Sequence, residues 1–163
     1  MQETSLSETL AATQLTTALP LPQYLPTTLT RSYRILGIET DSFCQVFQDR
    51  LVVGVSQLDG KIGTYILCQA MQSQVNPTSV DFTLTTVLGN REDAMLGVYA
   101  RRLTERVLQE SGSTTHRKGH LSILLGISLK EDKKADPDMF RDVVEVLVEL
   151  VREALQGTTS TTA

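Results

Sequence analysis

The sequence predicts an α+β fold in which a largely antiparallel sheet of about five to six strands packs against two helices. Two observations carry this prediction. Short apolar or alternating segments bounded by turn residues fill the first half of the chain. Two longer segments with helical periodicity follow, separated by one more apolar run. Strands followed by helix, strand and helix are typical of α+β proteins rather than of a repeating β–α unit.

The composition is typical of a globular protein and lacks the features of proteins that bind nucleic acid or span a membrane. The 163 residues are 40% hydrophobic and 21% charged, with a net charge of −4. A protein that neutralises phosphates would be basic, so we expect no nucleic-acid partner. No apolar run reaches the about 18 residues of a membrane span, and no basic N-terminal stretch marks a secretory signal. Two cysteines form neither a disulfide framework nor a metal set, which favours a reducing compartment, the cytoplasm or the nucleus.

One folded domain is expected over residues 30–157, between two disordered ends. Residues 1–29 are rich in Thr, Ser and Gln, and three prolines fall within seven residues. Prolines at this density exclude a continuous helix or a central strand. Because this leader also contains several leucines, a short partner-binding helix is the alternative prediction for it. The tail, residues 158–163, has nothing to bury.

The centre of the predicted sheet is a β-hairpin over residues 50–69. Its two apolar runs are joined by Asp59-Gly60, a dipeptide that accepts the positive φ angles of a two-residue type I′ turn. Pairing outward from the turn sets Tyr65 over Gly54, an aromatic–glycine pair that helps to fix register. Both faces of the hairpin are largely apolar, which indicates strands in mid-sheet that are covered on both sides.

Other strands are predicted on both sides of the hairpin. Residues 31–40 and 43–47 precede it, with a break between them, and residues 79–88 follow with alternating polarity. Residues 120–129 are apolar at nearly every position, which again indicates a strand buried on both faces.

The two helices are predicted at about 91–110 and 137–156. Asn90 is placed as the N-cap of the first helix, and Asp136, followed by proline, as the N-cap of the second. Gly157 is placed to end the second helix as its C′ residue.

The second helix has an unusually wide apolar stripe. Its apolar side chains span about 200°, roughly twice the arc that one buried face needs. We therefore expect two packing partners, the sheet of the same chain and a neighbouring subunit or element. Met139, Val146 and Leu150 are the predicted dimer or partner surface.

No catalytic or metal-binding motif is present in the sequence. Hydrolase, phosphate-loop, dinucleotide-binding and zinc-protease signatures are all absent, so we expect no enzyme, no cofactor and no metal. His116 and His120 flank a basic loop, but zinc requires about four ligands. Residues 60–63 match the G-x-x-G pattern of KH nucleic-acid-binding loops, yet that loop joins two helices and the negative charge opposes it. Both cysteines are predicted to be buried and inert.

Three arginines form the basic cluster of the first predicted helix. Arg101, Arg102 and Arg106 fall on its outer face. The simplest interpretation is a solvated helix surface, and the alternative is a docking patch for an acidic partner.

Residues 47–67 resemble the signature hairpin of the proteasome assembly chaperone 3 family. In that family an apolar strand ends in Gln and a tight turn of the form F-G-K-M-G-T follows. The match, with Asp59 as one inserted residue, is carried by Gln57, Asp59, Gly60, Lys61, Gly63 and Thr64. Residues 84–89, 99–112 and 120–130 resemble later segments of the same family.

The resemblance implies a non-enzymatic, ATP-independent chaperone of 20S proteasome assembly. It implies a dimer, formed with itself or with assembly chaperone 4, that holds α-type subunits while the α-ring forms. Assembly chaperones 1 and 2 use a hydrophobic-Tyr-X tail that this sequence lacks, so binding is expected through folded surfaces. The alternative is a roadblock- or profilin-like scaffold of a trafficking or motor complex, on the likeness of its Leu-Val-Val-Gly-Val strand and helix arrangement.

Overall fold

Six strands and two helices make up the part of the chain that the structure, a computed structural model, describes: residues 26–73, 75–76, 79–111 and 120–159. In chain order the elements are β1 (Thr27–Ile35), β2 (Ile38–Val46), β3 (Leu51–Ser56), β4 (Thr64–Gln72), β5 (Val80–Leu88), α1 (Ala94–Ser111), β6 (His120–Ser128) and α2 (Pro137–Thr159). The predicted α+β class is confirmed. Residues 1–25 and 160–163, most of the predicted leader and tail, lie outside the described residues.

The strands form a single sheet in the order β1-β2-β3-β6-β4-β5. Strands β3 and β6 run parallel, and the other neighbouring pairs are antiparallel. The predicted central hairpin over residues 50–69 is wrong, because β6 lies between β3 and β4 and pairs with both. The predicted positive φ angles are nevertheless present, at 51° for Asp59 and 72° for Gly60. The turn therefore belongs to a loop that crosses the end of β6.

A true hairpin joins β1 and β2. Its two turn residues, Leu36 and Gly37, have φ angles of 48° and 81°, and Ile35 pairs with Ile38 across the turn. The prediction of one strand over residues 31–40 is wrong because this turn divides it. Strand β2 continues through the predicted break, and β1 begins at Thr27, within the predicted leader.

Both helices lie on the same face of the sheet. Helix α2 packs over β1, β2 and β3, whereas α1 packs over β4, β5 and β6, and the helices also contact each other. Alternate residues of the central strands point into this layer. The core includes Leu51, Val53, Val55, Ile66, Cys68, Ala100, Leu103, Leu121, Ile123, Leu125, Ile127, Val143, Leu147 and Val151. The expectation of cover on both faces is wrong for the described chain, and the opposite face of the sheet is left open.

The ends of the helices differ in part from the prediction. Helix α1 begins at Ala94, because the Asp93 carboxylate accepts the Met95 N–H at 3.2 Å. Asn90 forms a separate turn before it by accepting the Glu92 N–H at 2.9 Å. The predicted N-cap at Asn90 is therefore wrong, because Asp93, about one helical turn later, caps the helix.

Helix α2 begins as predicted. The carboxylate of Asp136 accepts the N–H groups of Asp138 and Met139, at 2.9 and 3.3 Å. The helix then continues through Gly157 to Thr159, so the predicted end at Gly157 is wrong. Gly157 does not adopt the positive φ of a C′ glycine.

Both cysteines are buried free thiols, and we expect them to resist modification in the native protein. Burial raises the pKa of the Cys44 thiol to about 12 and also raises the pKa of Cys68. Since the thiolate is the reactive form, Ellman's reagent at pH 8 should react with the native protein at least about 100-fold more slowly than with the protein unfolded in urea. Rapid native reaction of either thiol would contradict this burial.

Candidate interaction surface

The family-like motif lies in the loop that carries the chain from β3 to β4, residues 57–63, which we call the crossover loop. Two hydrogen bonds fasten this loop to the end of β6: the Gln57 N–H donates to the Ser128 carbonyl at 2.8 Å, and the Gly63 N–H donates to Ser128 Oγ at 2.6 Å. Within the loop, the Lys61 N–H donates to the Leu58 carbonyl at 3.0 Å. The motif therefore holds the inserted strand in place.

The side chain of Gln57 joins the crossover loop to three other elements. It is only 6% exposed. Its Oε1 accepts the Lys130 N–H at 3.1 Å, and its Nε2 donates to Thr40 Oγ1 at 3.2 Å and lies 3.2 Å from the Met139 sulfur. Gln57 thus ties the loop to β2, to α2 and to the segment beyond β6.

Replacing Gln57 by alanine is expected to lower the free energy of unfolding by about 2 kcal/mol, because the Lys130 N–H and the buried Thr40 hydroxyl each lose a hydrogen bond and the side chain leaves a gap. Urea denaturation measures this change. Lys61→Ala, an exposed change in the same loop, is the matched control and should stay within about 0.5 kcal/mol of the wild type. Equal effects of the two variants would exclude a structural role for Gln57.

The rest of the motif supports the entry to α1. Thr64 Oγ1 accepts the Asn90 N–H at 3.3 Å. Gly89 approaches the same place so closely that a Cβ built on it would lie 2.3 Å from the Gly63 carbonyl oxygen. Asp59 and Gly60 form the exposed tip of the loop. The motif residues lie together, and their contacts are structural.

The open face of the sheet lies on the side away from both helices and is not covered by any other helix or strand of the described chain. Register and alternation place its side chains in rows across the strands. The centre is apolar and half-buried, and comprises Phe43, Val52, Tyr65, Leu67 and Leu124. Ser, Thr, Gln and Asp side chains surround it, including Thr30, Ser32, Asp41, Gln45, Gln69, Thr83 and Thr85. The sequence did not predict this surface, because its apolar residues have the pattern of a strand that is covered on both faces.

Two aromatic rings lie flat over two glycines at the centre of the open face. A Cβ built on Gly54 would lie 2.0 Å from Phe43 Cε1, and one built on Gly126 would lie 2.9 Å from Tyr65 Cε1. The predicted pair of Tyr65 with Gly54 is wrong, because β6 separates the two strands. Aromatic–glycine pairing itself is present twice. The rings make the centre of the face apolar and flat.

A small cavity adjoins the Phe43 ring on the open face. Its volume is about 250 Å³. Phe43 and Ile62 line it with apolar atoms, Ser32 and Asp41 line it with polar atoms, and Gly54 and Ser56 contribute from β3. We call this cavity the Asp41 pocket.

The predicted partner surface on α2 is largely inside the protein. Met139 and Leu150 are 0% exposed, and Val146 is half-buried against the same core. The prediction of a dimer surface from these residues is therefore wrong. The wide apolar arc has a second partner within the chain, because α2 packs against α1 as well as against the sheet.

The three predicted arginines are paired with carboxylates of the same chain. Arg101 and Arg102 bind Glu105, at 2.9 and 3.5 Å, and Arg106 binds Glu145 of α2 at 2.6 Å. The guanidinium of Arg101 also lies 5.3 Å from the centre of the Phe82 ring. The charge of the cluster is thus balanced locally, and docking of an acidic partner on it stays a prediction.

The described residues hold no candidate metal site. No group of three or more His, Cys, Asp or Glu side chains among them is placed to bind an ion. His116 lies outside the described residues. No helix in the described ranges is long and apolar enough to cross a membrane.

A comparison with models of protein families identifies the family of this chain. The model of the family Proteasome assembly chaperone 3 matches residues 53–150, more than half of the chain. The chain belongs to the proteasome assembly chaperone 3 family. The match begins within β3 and ends within α2, and it includes the whole crossover loop. Membership supports a role of the chain in proteasome assembly.

Individual relatives of this assembly chaperone agree with the family assignment. Proteasome assembly chaperone 3 of Homo sapiens is 26% identical over 112 residues, which cover 69% of this chain and 84% of that protein. The Mus musculus protein of the same name is 24% identical with the same coverage. A chain solved in the "Crystal Structure of a Novel Chaperone Complex for Yeast 20S Proteasome Assembly" has the same fold, with a TM-score of 0.54 and 13% identity over 76% of this chain and 97% of the other.

Proposed function

We propose that this chain is a non-enzymatic chaperone of 20S proteasome assembly that acts as a dimer and binds α-type subunits while the α-ring forms. Its dimer partner is a second copy or a protein like assembly chaperone 4, and its place of action is the cytoplasm or the nucleus. Family membership supports the assembly role. The yeast protein of the same fold was solved in a chaperone complex, which supports a partner chaperone.

The open face is the observation that supports the proposed dimer. Six strands about 4.8 Å apart span about 24 Å, and nine-residue strands are about 30 Å long, which gives a surface of about 700 Å². This approaches the about 800 Å² that each partner contributes to a stable complex. An apolar centre inside a polar margin is also the usual anatomy of such interfaces.

A second sheet is the partner surface that fits this face best. The Phe43 and Tyr65 rings lie close against glycines of the neighbouring strands, which keeps the centre of the face low. Two sheets pack face to face about 10 Å apart, and their side chains interdigitate to form a core. A second copy, or another chain with this fold, presents such a face. The α-type subunits then bind to surfaces that the sheet pairing leaves exposed.

The dimer is tested by placing a charge in the centre of the open face. Leu124→Asp should convert the dimer into a monomer in analytical ultracentrifugation, because a carboxylate would be buried without a partner. Val98→Asp places the same charge on the exposed side of α1 and should leave the dimer intact. A dimer that survives Leu124→Asp would show that the interface is elsewhere.

The client is tested by purifying the tagged chain from cells and identifying the proteins that accompany it. The wild type should recover α-type proteasome subunits, and Leu124→Asp should recover fewer of them if the dimer is the binding form. Recovery of trafficking or motor proteins without any α-type subunit would instead support the scaffold alternative.

A further inference from the structure

The Asp41 pocket combines a carboxylate with an aromatic face. Register places Asp41 between Ser32 of β1 and Ser56 of β3 on the open face. Ser32 Oγ donates to Asp41 Oδ1 at 2.8 Å, which holds the carboxylate in place. The ring of Phe43 and the side chain of Ile62 provide the apolar lining. A charged acceptor therefore lies beside a π surface.

The size of the pocket suits one side chain. Its volume of about 250 Å³ is below the about 300–1,000 Å³ of typical small-molecule sites. It exceeds the about 150 Å³ of a protein cavity that holds a benzene ring. A single long side chain would fit in this space.

The charge of the pocket is negative. Asp41 is the only acidic residue among the described residues that line it. Arg31 also borders the pocket, but its guanidinium binds Glu153 of α2 at 3.0 Å on the other side of the sheet. Arg34, further along β1, binds Glu39 at 3.2 Å. Among the described residues, Ser32 is the one side chain that hydrogen-bonds to Asp41, so the carboxylate can accept further hydrogen bonds from a cationic side chain.

We propose that the Asp41 pocket receives an arginine side chain from the chain that packs on the open face. The guanidinium would bind the Asp41 carboxylate and stack on Phe43, and its methylene groups would contact Ile62. Arginine suits this pocket better than lysine because its planar group makes paired hydrogen bonds and stacks on rings. This inference rests on the proposed function, since it names the chemistry with which the partner enters the dimer face.

The pocket is tested directly by titration with N-acetyl-arginine N-methylamide, followed by NMR. Leu124→Asp serves as the host protein, because its open face stays uncovered. The amide signals of Gly54, Gly60 and Ile62 should shift and saturate with a dissociation constant of about millimolar. N-acetyl-citrulline N-methylamide, which has a similar shape without the charge, should bind at least about fivefold more weakly.

Two matched variants locate the binding. Asp41→Asn keeps the shape of the side chain and an acceptor for Ser32, and it should abolish the preference for arginine over citrulline. Asp81→Asn removes the same charge from β5 at the far edge of the sheet and should preserve the preference. In the otherwise wild-type protein, Asp41→Asn should weaken dimer association at least about fivefold, and Asp81→Asn should change it less than about twofold.

The inference is overturned if no saturable shift occurs, if the two ligands bind equally, if the preference survives Asp41→Asn, or if Asp41→Asn leaves association unchanged. These failures leave the proposed dimer intact when Leu124→Asp still yields a monomer. Conversely, a dimer that survives Leu124→Asp refutes the proposed dimer surface, whereas the titration still reports on the pocket.

Discussion

Leu125→Ala is expected to lower the free energy of unfolding by about 3–4 kcal/mol. Leu125 lies on β6, the inserted strand, and its side chain is 0% exposed in the layer between the sheet and the helices. It pairs with Val53 of β3 on one side and with Ile66 of β4 on the other. Truncation leaves a cavity that rigid neighbouring strands cannot fill, so the effect should approach the upper part of the range for leucine.

Urea denaturation followed by circular dichroism measures this loss. Leu58→Ala, in the exposed part of the crossover loop, removes the same atoms from a side chain that is 45% exposed. Its effect should stay below about 1 kcal/mol. A loss below about 1.5 kcal/mol for Leu125→Ala would mean that β6 is not the packed centre of the sheet.

Gly89→Ala should destabilise the protein by about 3 kcal/mol or more, through the backbone rather than through the core. Gly89 has a φ of 97°, and a Cβ there would lie 2.3 Å from the Gly63 carbonyl oxygen and 2.7 Å from Thr64 Cα. The conformation itself is unfavourable for an L-residue. Because the close atoms belong to backbone, the crossover loop or the entry to α1 must also move.

Two other glycines separate these effects in the same denaturation assay. Gly37 has a φ of 81° with open space around its Cβ position, so Gly37→Ala reports the conformational part, about 1 kcal/mol. Gly157 lies in α2 with open space around it, so Gly157→Ala should stabilise the protein slightly. If Gly89→Ala and Gly37→Ala have equal effects, the contact with the crossover loop is not tight.

The sequence predicted the segments of this fold better than their arrangement. Alternation and apolar runs located strands near β3, β4, β5 and β6, and Asp136 marked the start of α2 correctly. The order of the strands was missed because a turn signal is local. Asp59-Gly60 does adopt positive φ angles, but a dipeptide specifies a turn and not whether its two flanking strands become neighbours.

Apolar content also left open what covers each surface. The wide arc of α2 looked like a subunit interface, yet Met139 and Leu150 are covered by the chain itself. Val52, Leu67 and Leu124 looked like core, yet they face away from both helices. A pattern of hydrophobicity gives the extent of surface to be buried, and only the tertiary arrangement decides whether the same chain buries it. The predicted partner surface on α2 was therefore placed on side chains that the chain itself covers.

The insertion of β6 has a consequence for the order in which the protein can be made. Leu51 of β3 can pair with Ile123 only once β6 has been synthesised, and Cys68 of β4 pairs with the same residue on the other side of β6. During synthesis, β1–β3 and β4–β5 emerge before β6 and form two parts of the sheet that cannot yet pair with each other. Each part then exposes an apolar strand edge. The sheet closes only after the ribosome has released residues 120–128. Such long-range pairing folds slowly, so a protein that we propose to be a chaperone passes through a period in which its own nascent chain is prone to aggregation.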